Sequence, residues 1–235
     1  MNASEIELLA EVEDNHWWYR DRRRKLKKWA TDNFQSGARI LDVGSAAGKQ
    51  VELLLSLNFE AEGLEYSEIG FKTQQNKGLK VTRGSATSLP WRDETFDGVI
   101  CMDVLEHIEH DHLAVKEIMR VLKHNGKFLI SVPSDPNLWS AHDLSVGHFR
   151  RYSKQNLLIL LDQSDVKITS LEYWNILLKP IVQVGRRFTH GSDLRKPSRI
   201  QNLFFGSILR LERHLVSPKI PGISIWCCGE KNSND

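Results

Sequence analysis

The chain has 235 residues, 40% of them hydrophobic and 26% charged, and a net charge of +2. These values fit one globular domain with additions and exclude a disordered chain. Because Lys and Arg nearly balance Asp and Glu, they also exclude a protein that binds polyanions over its whole surface.

The opening stretch "ASEIELLAEVED" is acidic and amphipathic, unlike a cleaved leader. No apolar run approaches the ~20 residues that cross a bilayer. Three cysteines, two of them adjacent (Cys101, Cys227, Cys228), read as reduced thiols. Together these features lead us to expect a cytoplasmic protein.

In chain order, apolar residues at helical spacing predict helices over 4–13 and 16–34. The second opens with "NHWWYRDRRRKLKKW", in which Arg20 to Lys28 holds seven cations against one Asp. Such a helix suits either a phosphate or headgroup contact or a solvated face. The pattern then changes to short apolar runs alternating with helices. "ARILDVG", "EAEGLEYS", "LKVTRG", "FDGVICMD" and "KFLISVP" read as strands, separated by helical "GKQVELLLSLN", "SEIGFKTQQNKG" and "DHLAVKEIMRVLKHNG". This alternation predicts an α/β fold with a doubly wound, mainly parallel sheet, whose ligands bind at the carboxyl ends of the strands. Farther on, "SKQNLLILLDQS" reads as a helix, "VKITSLEYWN" as a strand, 176–216 as an apolar and basic helical segment, and "PGISIWCCGE" as a closing strand. The expected division is a helical lid over 1–36, a core over 37–175 and 217–235, and a helical insert over 176–216. That insert suits an acceptor cover, an interface or a peripheral membrane contact.

Two features mark a ligand site. "LDVGSAAGK" sets Gly44 and Gly48 in a strand-to-helix turn, where backbone N–H groups face a crevice. The spacing is neither that of a dinucleotide fingerprint nor that of a phosphate-binding loop. Glu65 ends the second strand 21 residues after Gly44, where a carboxylate accepts from both hydroxyls of a ribose.

These motifs, with "GSATSLPWRDETFDGVICMDVLEHIEH" and "LKHNGKFLISVP" in the same order, resemble class I S-adenosylmethionine-dependent methyltransferases over about residues 38–132. The resemblance implies a seven-stranded sheet of order 3-2-1-4-5-7-6 with the last strand antiparallel. It implies S-adenosylmethionine as cofactor and S-adenosylhomocysteine as product. Carried over by position, Asp42, Gly44, Ser45 and Gly48 would surround the methionine part. Glu65 would bind the ribose, with Tyr66 against the adenine and Ser85 and Ala86 at its edge. Met102 and Asp103 would reach the methionine end. Ala46 replaces a usual glycine, and Ser85 stands where an Asp is common. Outside this core, "HWWYRDRRR", "GHFRRYS" and the closing Asn202, Glu212, Pro221, Gly222, Ser224 pattern look like a bacterial subgroup whose suspected acceptors are glycans, lipid-linked sugars or small metabolites.

Methyl transfer to a hydroxyl needs an aligned nucleophile and a proton acceptor. Asp103, Glu106 and His107 share one face if a helical turn follows the fourth strand. His107 would serve as the base, with Glu106 and His148 as partners. Alternatively, Asp103, Glu106, His107 and His148 would hold a divalent ion, with His142 and His110 as other remote ligands. That arrangement is similar to the E-x-x-E-H stretch of ubiquinone-pathway and small-RNA O-methyltransferases. A capping and packing role is the third reading. His142, His148, Arg151 and Tyr152 are candidate acceptor contacts, and Arg150 offers a further cation. Trp17, Trp18 and Tyr19 would roof the site, with Arg23, among Arg20, Arg22 and Arg24, meeting a cofactor carboxylate.

The expected activity is therefore O-methylation of a small-molecule, glycan or lipid-linked acceptor. The alternatives are RNA 2′-O-methylation, disfavoured by the near-neutral charge, and a non-catalytic cofactor-binding protein.

Overall fold

The run "RILDV" becomes β1 (Arg39–Val43), an interior strand of the sheet, because its apolar residues are buried on both faces. Leu41 and Val43 pack into one layer of the core, and Ile40 packs into the other. A computed structural model describes residues 12–185 and 196–233.

After β1 come α2 (Lys49–Ser56), β2 (Glu60–Glu65), α3 (Glu68–Asn76), β3 (Val81–Arg83) and β4 (Phe96–Met102). A 3₁₀ turn (Leu105–His107) leads to α4 (Asp111–Val121) and β5 (Leu122–Pro133). A second 3₁₀ turn (Pro136–Leu138), α5 (Ala141–Ser145), α6 (Lys154–Asp162) and β6 (Val166–Trp174) follow. α7 (Lys179–Gly185) and α8 (Arg199–Leu215) precede β7 (Ser224–Lys231), and α1 (Trp17–Asn33) precedes the sheet. The order is β3-β2-β1-β4-β5-β7-β6, with β7 antiparallel to both of its neighbours, as expected.

Two boundaries differ from the sequence reading. The long helix was expected to run through "KHNG", but it ends at Val121 and β5 starts at Leu122. Leu122 is fully buried and pairs with Phe96, so tertiary pairing overrides local helical spacing there. Asn125, with φ +60°, then bends the strand. The expected helix over 4–13 lies, up to residue 11, outside the described residues, as does 186–195 of the insert.

α1 lies against the sheet face that carries Ile40, Ile100 and Leu129. Leu26, Trp29 and Ala30 join that core, and its outer face is charged. His16 caps its start, accepting from the Trp18 backbone N–H at Nδ1 (3.2 Å), and burial lowers the pKa of this imidazole to about 4. α8 packs on α1: Asn202 Oδ1 accepts from the Trp17 N–H at 2.9 Å, and the Trp17 and Phe205 rings lie 5.0 Å apart. Asp21 of α1 pairs with Arg213 of α8 and accepts from Trp174 Nε1. The three cysteines are free and buried, consistent with reduced thiols in a packed sheet.

Candidate active site

A cavity of about 820 Å³ opens at the carboxyl ends of β1, β2 and β4, where a doubly wound sheet reverses its winding. Its floor is the turn after β1. Gly44, Ala46 and Gly48 all adopt positive φ there (+75°, +47° and +84°). A Cβ on Gly44 would meet a methyl of Val104 at 2.3 Å, so only glycine fits. Ala46 pays about 1–2 kcal/mol for a conformation that residues with a Cβ seldom adopt. It is held there because its N–H donates to Glu65 Oε2 (2.8 Å) and its carbonyl accepts from Gln74 Nε2 (2.9 Å). The departure from glycine is thus absorbed by two buried side chains.

Glu65, at the end of β2, lines the cavity, and its Oε1 also accepts from the Ser67 N–H at 2.8 Å. Burial raises its pKa, opposed by those two backbone donors. Tyr66, 78% exposed, stands at the rim. Ser85 and Ala86 line the next edge, with the Ser85 hydroxyl turned into its own loop 2.8 Å from Thr87 Oγ1. Asp42, Ser45 and Gly48 are not among the lining residues. Asp42 is buried beneath the turn, where burial raises its pKa to about 7 and its Oδ2 has no hydrogen-bond partner among the described residues. Ser45 and Gly48 pack against Gln74, and Ser45 Oγ accepts from its amide at 2.8 Å.

The roof is α1. His16, Trp17, Trp18 and Tyr19 all line the cavity, and Trp18 stacks 4.9 Å from Trp174. The arginine turned inward is Arg22 rather than the expected Arg23. Arg22 donates to Asp103 Oδ2 and to the Met102 carbonyl, both at 2.8 Å, whereas Arg23 reaches back to the Asp14 carbonyl at 3.3 Å. Helical geometry explains the difference. Trp18, Arg22, Leu26 and Trp29 are spaced by three or four and form the inner stripe, and Arg23 lies outside it. That spacing was legible and would have selected Arg22. Glu13 and Gln50 also line the cavity and were missed, since nothing in their local pattern points inward.

At the opposite end, the 3₁₀ turn after β4 brings Glu106, His107 and His148 together. One ligand atom from each lies within 4.8 Å of the others. His107 Nδ1 faces the Gly147 carbonyl at 3.2 Å, and burial followed by the His148 charge lowers its pKa to about 4. His148 Nδ1 faces Asp143 Oδ1 at 2.9 Å, and its ring lies 4.7 Å from that of His107. Glu106 is fully buried, and desolvation followed by the Asp103 charge raises its pKa well above the ordinary value. Asp103 stands apart from this trio because Arg22 and Ser131 engage its two oxygens. Among the described residues, the cluster that could hold a cation is therefore Glu106, His107 and His148.

Of the expected acceptor contacts, His142, His148 and Arg151 line the cavity, as does His110. Arg151 is buried and donates to Asp143 Oδ1 and to the Ser134 carbonyl, both at 2.8 Å. Its guanidinium thereby fixes the carboxylate that orients His148. The structure places Tyr152 elsewhere: it is buried, absent from the lining, and donates to Asp111 Oδ2 at 2.7 Å. Arg150 pairs with the same Asp111 at 3.0 Å.

Residues 41–130 match the family model described as a methyltransferase domain. The chain is 33% identical over 149 residues to the uncharacterized methyltransferase YcgJ of Bacillus subtilis, spanning 59% of this chain and 54% of that one. The crystal structure of YcgJ has the same fold, with a TM-score of 0.60 over 90% of this chain and 98% of that one at 18% identity. A phthiotriol/phenolphthiotriol dimycocerosates methyltransferase of Mycobacterium ulcerans is 30% identical over 65% of this chain and 58% of its own. A tRNA (carboxymethyluridine(34)-5-O)-methyltransferase of Arabidopsis thaliana is 35% identical over 43% of this chain and 25% of its own. The matched stretches thus span from 25% to 58% of these relatives' lengths. Residues 41–130 thus carry the match to a methyltransferase domain, on the sheet order and with the glycine turn after β1 described above.

Proposed function

We propose that the protein methylates a hydroxyl group of a small-molecule, glycan or lipid-linked acceptor, using S-adenosylmethionine. The observation that carries the reading is the half-buried pair of His107, after β4, and His148, after α5, inside the same cavity as Glu65 and Arg22.

The residues present fit the cofactor. The Glu65 carboxylate offers its free lone pairs to a ribose diol, Tyr66 offers a ring face to a purine, and the aromatic roof excludes water. Arg22 already holds Asp103 and the Met102 carbonyl, so its guanidinium places cationic charge where an amino-acid carboxylate would lie. Once bound, S-adenosylmethionine supplies an electrophilic methyl carbon on a sulfonium. The chain's task is then to align the acceptor oxygen and remove its proton. With Nδ1 donating to the Gly147 carbonyl, His107 keeps a lone pair on Nε2, and burial keeps the ring neutral at working pH. That nitrogen takes the hydroxyl proton as the acceptor oxygen takes the methyl group. His148, fixed by Asp143, orients the acceptor or relays the proton.

The test uses methyl-labelled S-adenosylmethionine with a cell extract fractionated into lipid, glycan, small-molecule and RNA pools. Label should enter one of the first three pools, and label in RNA alone would replace this reading with the RNA one. His107→Ala should keep its cofactor affinity in a calorimetric titration and lose about 10²–10⁴-fold in turnover. The acid limb of wild-type turnover should lie near 4 rather than near the usual imidazole value. Absence of calorimetric binding at high micromolar S-adenosylmethionine would sink the enzyme reading.

A further inference from the structure

Helix α8 carries two opposed faces. The inner one, with Phe205, Ile208, Leu209 and Glu212, packs on α1 and α7, and Glu212 Oε2 accepts from the Leu177 N–H at 2.9 Å. The outer face is also apolar, yet it is open to solvent. Ile200, Leu203, Phe204, Leu211 and Leu215 fall on one side of the helix, with Ser207 between Phe204 and Leu211, and are 52–81% exposed. Scattered exposed apolar residues are ordinary, but five on one stripe of a single helix are not.

Among the described residues of α8 and those next to its ends, the charges bordering this stripe have one sign. Arg199 and Arg210 flank it and are exposed, as are Lys196 just before the helix and Lys219 just after it. The single carboxylate of α8, Glu212, is buried on the inner side. At 17 residues the helix is about 25 Å long, and it is too polar to cross a membrane. An apolar stripe bordered by the exposed cations Arg199 and Arg210 suits a helix lying in the plane of an anionic lipid surface. A second copy of the chain fits less well, since pairing two such stripes would crowd Arg199 and Arg210 of both copies with no carboxylate between them.

We propose that the outer face of α8 docks the protein on an anionic bilayer. Ile200, Leu203, Phe204, Leu211 and Leu215 enter the interface, and Arg199 and Arg210 meet lipid phosphates. The inner face of the same helix holds Trp17 through Asn202 and Phe205, and Trp17 lines the cavity. Docking would thus seat the cavity roof directly above the lipid surface. The inference stands on this surface alone and is independent of the methyl-transfer reading.

The test is co-sedimentation of the full chain with phosphatidylcholine vesicles, with and without phosphatidylglycerol. Binding should require phosphatidylglycerol and weaken as salt is raised. Phe204→Glu should abolish it. Replacing Arg199 and Arg210 together by Gln should weaken it roughly thirtyfold, at ~1 kcal/mol per cation. The double Gln variant removes no packing, so it decides the matter if Phe204→Glu lowers the melting temperature. Failure to sediment with phosphatidylglycerol, equal binding to both vesicle types, or unchanged binding in both variants would overturn the proposal. A concentration-dependent dimer that Phe204→Glu dissolves, without vesicle binding, would instead assign the face to self-association and overturn it equally.

Discussion

Arg22 on the roof helix meets Asp103, just after β4, at 2.8 Å, and the same guanidinium spans to the Met102 carbonyl. This fork is the direct polar tie between α1 and the end of β4. It ties the roof to the strand end beside which His107 sits. A single side chain thus links an extension outside the sheet to the centre of the site.

Arg22→Lys keeps the charge and loses the two-pronged geometry. We expect about a tenfold loss in affinity for S-adenosylhomocysteine by calorimetry, at roughly 1–1.5 kcal/mol for the lost hydrogen bond. Arg23→Lys should leave that affinity unchanged, because Arg23 is turned to the Asp14 carbonyl. Equal effects from the two variants would show that Arg22 has no special place in the site.

Glu65 has two duties, since it faces the cavity and also accepts from the Ala46 and Ser67 backbones. Glu65→Gln retains one acceptor oxygen and introduces an amide that cannot accept from the second backbone N–H. Cofactor affinity should fall about tenfold to a hundredfold, the range for hydrogen bonds to a charged group. The ligand-free melting temperature should fall as well, because the left-handed Ala46 turn loses a clamp. A melting curve that shifts without any change in affinity would confine Glu65 to the turn.

Glu106 offers a pH signature. Its folded pKa is raised well above the ordinary carboxylate value by burial, then by Asp103. The folded state therefore binds the proton more tightly than the unfolded chain does. The resulting stability is fully present below the unfolded pKa of about 4.5 and is lost as pH rises through the folded value. Glu106→Gln mimics the protonated carboxyl. In urea unfolding, the variant should match wild type at low pH and lose less stability as pH rises into the neutral and alkaline range. Parallel stability curves for the two proteins would refute a protonated Glu106.

Much of the fold was legible because its signals are local. Alternating strand and helix periods, Gly44, Gly48 and Glu65 at the ends of the first two strands, and the closing strand through Cys227 and Cys228 all report on nearest neighbours along the chain. The end of α4 was not legible in this way, because Leu122 is drawn into the sheet by Phe96, a partner 26 residues earlier. Tyr152 illustrates the same limit at the site. Its sequence context beside His148 and Arg151 suggested the cavity, whereas Asp111 at the start of α4 draws its hydroxyl away.

By itself, the sequence determined the alternation of strands and helices and the residue types of the cofactor end, since periodicity, glycine turns and strand-end carboxylates are short-range properties of the chain; the sheet order followed from the family resemblance. The tertiary structure alone decided which arginine enters the cavity and that Ala46 is held left-handed by Glu65 and Gln74. It also decided that Glu106, His107 and His148 converge while Asp103 is taken by Arg22. Those outcomes depend on which side chains arrive from distant elements, and on the burial that follows, and no local pattern carries that information.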